Sequence, residues 1–254
     1  MLKSALRPQH NHYQHFLSHT PHKSPALNPP SSKMLESLPP RKTYTIPSTS
    51  HTYSYISIPA TTKPHTLLFL HGFPSHAPDF IHQITHFSNS GYGVLVPDLL
   101  GYGHTSAPTD VAAYTLKNMS AELAQLIRHA TPTERRVVGV GHDFGATLLS
   151  RAVAYHPELF SALVFLSVGP PKLGTPFDVH AINRATREAT GCEMLGYIPW
   201  LGDISTPAAQ HACETHAESV MSVLFAAHEE EVWAAHFRPL GALREFVERG
   251  GKVD

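Results

Sequence analysis

Cysteine is scarce in this chain: two residues, Cys192 and Cys213, among 254. That excludes a disulfide framework and a cysteine-based metal cluster, and it fits a reducing compartment. A charge surplus is also missing, with 19 Lys and Arg against 20 Asp and Glu and a formal net charge of −1. A protein that tracks nucleic-acid phosphates needs a basic excess, so a nucleic-acid partner is not expected. Long apolar runs are absent; none approaches the ~18 residues of a membrane-spanning helix. Acidic residues are lacking from positions 1–35, a stretch with five prolines and five histidines, His10, His12, His15, His19 and His22. This stretch carries no hydrophobic periodicity and is expected to be a disordered tail, with Met34 as a second candidate start. An acid-free, Ser-containing N-terminus also fits a mitochondrial transit peptide, an alternative to the cytoplasmic location expected from the cysteines.

What remains is rich enough to fold. Apolar residues make up 42% of the chain, and 254 residues correspond to one large domain at ~150 residues per domain as a prior. Thr43–Ile46 and Tyr53–Ile58 alternate around Pro-Ser-Thr-Ser and predict a hairpin. Thr66–Leu70 is continuously apolar, the pattern of a strand buried on both faces. Further strands are expected at Val94–Val96, Arg136–Val140 and Ala162–Val168. Helices are expected near Asp79–Ser90, along the stripe Leu116, Met119, Leu123, Leu126 and Ile127, and over Phe144–Tyr155. A hairpin followed by alternating strand and helix predicts an α/β fold with a mostly parallel sheet, helices on both faces. After Gly169-Pro170-Pro171 the pattern is helical, near Val179–Thr190, Ala208–Ala226, Glu229–Phe237 and Leu240–Arg249. The expected organisation is therefore a tail over 1–35, an α/β core over 36–168 and a helical cap over 169–254.

Three loops that leave strand C-termini carry the chemistry. Gly141-His142-Asp143-Phe144-Gly145-Ala146 lies between a strand and a helix, the setting of a nucleophile elbow with Asp143 where serine is usual. The tight turn gives Gly141 and Gly145 a steric reason. Taken alone, Asp143 reads first as an ordinary helix N-cap, and the other two loops are what favour the nucleophile. His71-Gly72-Phe73-Pro74 follows a buried strand, where this architecture draws an oxyanion-hole N–H. Pro97-Asp98-Leu99-Leu100-Gly101-Tyr102-Gly103 follows the next. Loops at this end of an open α/β sheet converge on one ligand crevice. Asp98 and His71 read as residues that fix these loops rather than as catalysts.

With these three motifs in order, the chain resembles the α/β-hydrolase superfamily, and specifically its epoxide hydrolase branch. Gly191-Cys192-Glu193-Met194-Leu195-Gly196-Tyr197 and Pro239-Leu240-Gly241-Ala242-Leu243-Arg244 resemble the cap of that branch. The resemblance runs from about Leu38 to Val247. It implies that Asp143 is a nucleophile forming a covalent ester with an epoxide carbon. It implies that the backbone N–H groups of Phe73 and Phe144 form the oxyanion hole. Tyr197 would match one of two tyrosines that donate to the epoxide oxygen. Phe73, Phe144 and Trp200 suggest an apolar substrate pocket, so the expected partner is a small apolar epoxide. The chemistry calls for no metal and no organic cofactor.

The same resemblance implies parts that this chain does not offer. The water-activating histidine, its orienting carboxylate and the second tyrosine belong on segments beyond the cap, after two further strands. The chain is therefore expected to be C-terminally truncated relative to the family, with Ala162–Val168 at a sheet edge and turnover incomplete. Two alternatives stay open. One is a dehalogenase of the same fold, although Phe144 stands where such enzymes carry a halide-binding Trp. The other is a non-catalytic pseudo-hydrolase or fragment that binds an apolar ligand.

Overall fold

The computed structural model describes residues 36, 38–132, 136–171, 174 and 176–254. The N-terminal histidine cluster and the transit-peptide alternative lie outside the described residues. Six strands form one sheet in the order β1-β2-β4-β3-β5-β6. They are β1 Lys42–Thr45, β2 Thr52–Ile58, β3 Thr66–Leu70, β4 Gly93–Pro97, β5 Val137–His142 and β6 Phe160–Leu166. β1 and β2 form the hairpin, β2 runs antiparallel to β4, and β3, β4, β5 and β6 are mutually parallel. The expected α/β sheet is thus present, mostly parallel with an N-terminal hairpin.

The alternation of side chains along the strands builds two cores. Leu68, Leu70 and Leu95 point to one face and pack with Met119, Leu123, Leu148 and Leu149. These come from two helices, α2 (Leu116–Ala130) and α3 (Phe144–Tyr155). Phe69, Val94, Val96 and Val140 point to the other face and pack with Ala77, Phe80 and Ile84. The last of these lies on α1 (Ile81–Asn89), which follows a short 3-10 turn over Ala77–Phe80. β3 and β4 are buried along their whole length, as their unbroken apolar runs require. A buried polar bridge ties α2 to the hairpin. Glu122, 2% exposed, accepts the Tyr53 hydroxyl at 2.8 Å and lies 2.8 Å from His51 Nδ1.

The remaining helices are α4 Val179–Thr190, α5 Ile198–Leu201, α6 Ala208–Thr215, α7 Ala217–Leu224, α8 Glu229–His236 and α9 Ala242–Glu248. They enclose a third apolar cluster of Val223, Leu224, Phe237, Leu243, Phe246 and Val247. α4 has both of its ends fixed, by Asp178 accepting the Ala181 N–H at 2.9 Å and by Gly191 in the left-handed region. The single helix expected over Ala208–Ala226 is two, because His216 (φ −117°, ψ 44°) leaves the helical region between α6 and α7. β6 starts two residues earlier than expected, directly after the 3-10 turn Pro157–Leu159, and ends at Leu166, just before Ser167, whose φ is +65°. Among the described residues β6 is the edge of the sheet, and Val164 and Leu166 are 41% and 40% exposed.

Candidate active site

The loops after β3, β4 and β5 meet at the C-terminal edge of the sheet. Asp143 occupies the turn from β5 into α3 with φ +52° and ψ −122°. A non-glycine residue there is strained, and such strain is held only when the surroundings fix it. Gly141 and Gly145 supply that fixation. A Cβ on Gly141 would lie 2.7 Å from Ala146 Cα and from the Gly145 carbonyl oxygen. A Cβ on Gly145 would collide with the Leu70 carbonyl and sit 2.6 Å from the His71 carbonyl oxygen. Helix α3 therefore rests directly on the end of β3. The carboxylate of Asp143 makes no capping bond to α3, so the ordinary N-cap role is not the one it plays.

Instead the carboxylate turns to the neighbouring loop, where Asp143 Oδ1 accepts the Phe73 backbone N–H at 3.0 Å. Gly72 allows this approach, since a Cβ there would collide with Asp143 Oδ1 and lie 2.7 Å from Asp143 Cγ. The Phe73-Pro74 peptide is cis. Below the loop, fully buried His71 is fixed at both nitrogens. Its Nδ1 lies 2.9 Å from the Gly72 carbonyl, and its Nε2 accepts the Leu99 N–H at 2.9 Å. This assigns the proton to Nδ1, and burial lowers the His71 pKa, which keeps the ring neutral. Asp98, also fully buried, accepts the Ala77 N–H at 2.9 Å, the His104 N–H at 3.0 Å and Arg41 Nη1 at 2.5 Å. Both residues hold loops, as read from the sequence.

Above Asp143 lies a cavity of about 630 Å³. Its floor includes Phe73, Pro74, His142, Asp143 and Ser167, and its roof includes Leu195, Tyr197, Trp233 and Phe237. Tyr197 stacks on Phe237 with ring centroids 4.2 Å apart and lies over Phe73 at 6.3 Å. Burial, and then the charge of Asp143, raise the Tyr197 phenol above its ordinary pKa, so it stays a proton donor. Phe144 packs against the main core and lines a second, smaller cavity of about 420 Å³ with Phe73, Tyr102, Tyr114 and Met119.

Two placements differ from the sequence reading. Trp200, expected as a pocket residue, is not in the cavity wall; it packs against the core of the helical segment, and Trp233 lines the cavity instead. Tyr102 was not singled out, yet its phenol is pushed up to about 12 by burial and by the nearby Asp143 and Tyr197. Its signal in the sequence was its place in the loop after β4. Among the described residues no group of His, Cys, Asp and Glu has metal-binding geometry, and no helix is long and apolar enough to cross a membrane.

A protein-family profile for the alpha/beta hydrolase fold matches residues 65–189, from β3 to the end of α4. The matched segment, 125 of the 254 residues, carries an α/β-hydrolase fold. Two of the chain's curated relatives are epoxide hydrolases. It is 38% identical over 143 residues to epoxide hydrolase srdG of Neurospora crassa, covering 52% of this chain and 42% of that one. It is 37% identical over 102 residues to epoxide hydrolase A of Mycobacterium tuberculosis, covering 40% and 31%. The crystal structure of an epoxide hydrolase from Vigna radiata superposes with a TM-score of 0.60 at 26% identity, over 76% of this chain and 58% of the other. The chain thus spans about a third to two-fifths of the length of these curated relatives. In this α/β hydrolase, the matched segment contains all three loops that meet at Asp143.

Proposed function

We propose that this chain is an epoxide hydrolase-type enzyme whose Asp143 opens small apolar epoxides by forming a covalent alkyl-enzyme ester. The observation that carries the reading is the elbow: a strained aspartate on the floor of an aromatic-lined cavity, with one oxygen on the Phe73 N–H and a phenol, Tyr197, in the roof. A carboxylate is ionised at neutral pH and needs no base to attack a strained sp³ carbon. Oδ1 is engaged by Phe73, so Oδ2 is the attacking atom. As the Oδ2–carbon bond forms and the epoxide C–O bond breaks, Tyr197 donates its proton to the departing oxygen. The N–H groups of Phe73 and Phe144 are the donors for the oxyanion that forms when the ester is later cleaved. The phenylalanines and Trp233 select apolar substrates.

Ester formation at Asp143 is the step that this geometry supports. Its test is consumption of an aryl or alkyl epoxide by the wild type and by Asp143→Asn. Consumption by the wild type and none by the variant supports the reading; equal consumption refutes it. A dehalogenase of the same fold is the second reading. Phe144 has no N–H on its side chain to bind a halide, and halide release from a haloalkane would favour that reading.

A further inference from the structure

The segment that delivers Tyr197 to the cavity has no regular structure of its own. Between the end of α4 and the four-residue helix α5, residues 191–197 form neither helix nor strand. A single turn such as α5 does not hold itself in place, so neighbours must fix this segment. α4 does so along one side. Asn183 Oδ1 accepts the Leu195 N–H at 2.8 Å, Thr186 Oγ1 accepts the Met194 N–H at 3.1 Å, and Arg187 Nη1 donates to Glu193 Oε1 at 2.7 Å. Positions 183, 186 and 187 are spaced i, i+3 and i+4 and therefore share a side of the helix. The chain turns back at Gly191, whose φ is +84°, so the contacts run in opposite order, 183 with 195 and 187 with 193. On the other side the Gly196 N–H donates to the Arg238 carbonyl at 2.9 Å, and a Cβ on Gly196 would collide with that oxygen. The segment is thus wedged between α4 and residues 238–240, and Tyr197 leaves it to stack on Phe237 above Phe73.

We propose that Asn183, supported by Thr186, positions the Tyr197 phenol for ring opening, a role that rests on the nucleophile reading above. Of the three contacts, that of Asn183 is the deepest and lies nearest to Tyr197 in the chain. Asn183 is 5% exposed, whereas the Arg187 side chain is 68% exposed and solvent weakens its pair with Glu193. Thr186 ties the two hydrogen-bonded contacts together, since its hydroxyl also donates to the Asn183 carbonyl at 3.2 Å. Asn183 Nδ2 is buried without a hydrogen-bond partner among the described residues. An unpaired buried N–H is a cost that an apolar side chain would not carry. What the amide contributes is therefore its oxygen, on the Leu195 N–H. Without that oxygen the Leu195 N–H loses its partner, two residues before the phenol. The phenol must lie within hydrogen-bond reach of the epoxide oxygen while Asp143 Oδ2 attacks, and a shift of about 1 Å destroys that alignment. Neither Asn183 nor Thr186 lines the cavity, so both act through Tyr197 rather than on the substrate.

The test follows formation of the Asp143 ester with styrene oxide by rapid acid quench and intact-protein mass spectrometry. It compares the wild type, Asn183→Ala, Tyr197→Phe and the double variant. Asn183→Ala should form the ester about 100-fold more slowly at saturating epoxide, the effect of a misplacement of about 1 Å. Its half-saturating epoxide concentration should change by less than about threefold, because the lost alignment matters only in the transition state. In the Tyr197→Phe background the same substitution should change the rate by no more than about twofold, because the hydroxyl that it positions is gone. Thr186→Val removes the neighbouring contact to Met194 and should show the same dependence on the Tyr197 hydroxyl; where Asn183→Ala does not fold, this variant decides by the same comparison. Slowing by one factor in both backgrounds overturns the proposal, as does a wild-type rate in Asn183→Ala. Absence of any ester in the wild type is a separate outcome: it overturns the nucleophile reading and this role with it.

Discussion

Gly145→Ala is the substitution that presses hardest on the elbow. The added methyl would sit 2.6 Å from the His71 carbonyl oxygen and closer still to the Leu70 carbonyl, against a normal contact of about 3.4 Å. Both obstacles are backbone at the end of β3, so neither can rotate away. The first turn of α3 must retreat by about 1 Å, and overpacking of this kind costs about 1–3 kcal/mol, more where backbone has to move. At the upper value a chain of this size loses about 6–12 °C in Tm. The same shift moves Asp143 away from the Phe73 N–H, and a misplacement of about 1 Å costs about 100-fold in rate. Thermal unfolding and the rate of epoxide consumption measure the two effects on one sample. Gly169→Ala is the control, because an added Cβ there meets nothing within 4 Å. A Gly145→Ala protein with wild-type Tm and rate would refute the claim that direct packing of α3 on β3 sets the elbow.

Other substitutions separate roles. Tyr197→Phe should slow ester formation about 10²–10⁴-fold and keep the Tm, whereas Trp200→Phe should leave the rate within a factor of about three, consistent with its place outside the cavity wall; stopped-flow or quench kinetics decide. Because the Tyr197 pKa is raised, ester formation should hold up past pH 10 and fall only above it, and a loss below pH 9 would contradict the phenol as donor. Glu122→Leu removes the partner of the buried Tyr53 hydroxyl and should destabilise the fold by about 1–3 kcal/mol in urea unfolding. Val164→Lys places a charge on the open edge strand and should reduce concentration-dependent association in light scattering without lowering the Tm.

The parts of the fold written in the sequence are those fixed by local pattern. Thr66–Leu70 and Val179–Thr190 coincide with β3 and α4, because an unbroken apolar run and a helix between Asp178 and Gly191 mark their own ends. The break at His216 was not legible, since no glycine or proline stands there and the apolar spacing continues through it. The site was legible where steric need dictates residue type, at Gly72, Gly141 and Gly145 around Asp143. Which tryptophan reaches the cavity was not, because Trp200 and Trp233 occupy similar apolar helical contexts and only packing of the helices distinguishes them. Tyr102 was hidden for the same reason: its approach to Asp143 depends on how two loops meet rather than on its own neighbours in sequence.

The proposed chemistry turns on Asp143, and one measurement addresses it directly. The protein is exposed to a small apolar epoxide, quenched in acid within seconds, digested and mapped by mass spectrometry. A gain equal to the whole mass of the epoxide, located on the peptide that contains Asp143 and absent from Asp143→Asn, is the predicted result. A folded wild-type protein with no gain on that peptide, or an equal gain in the variant, would contradict it.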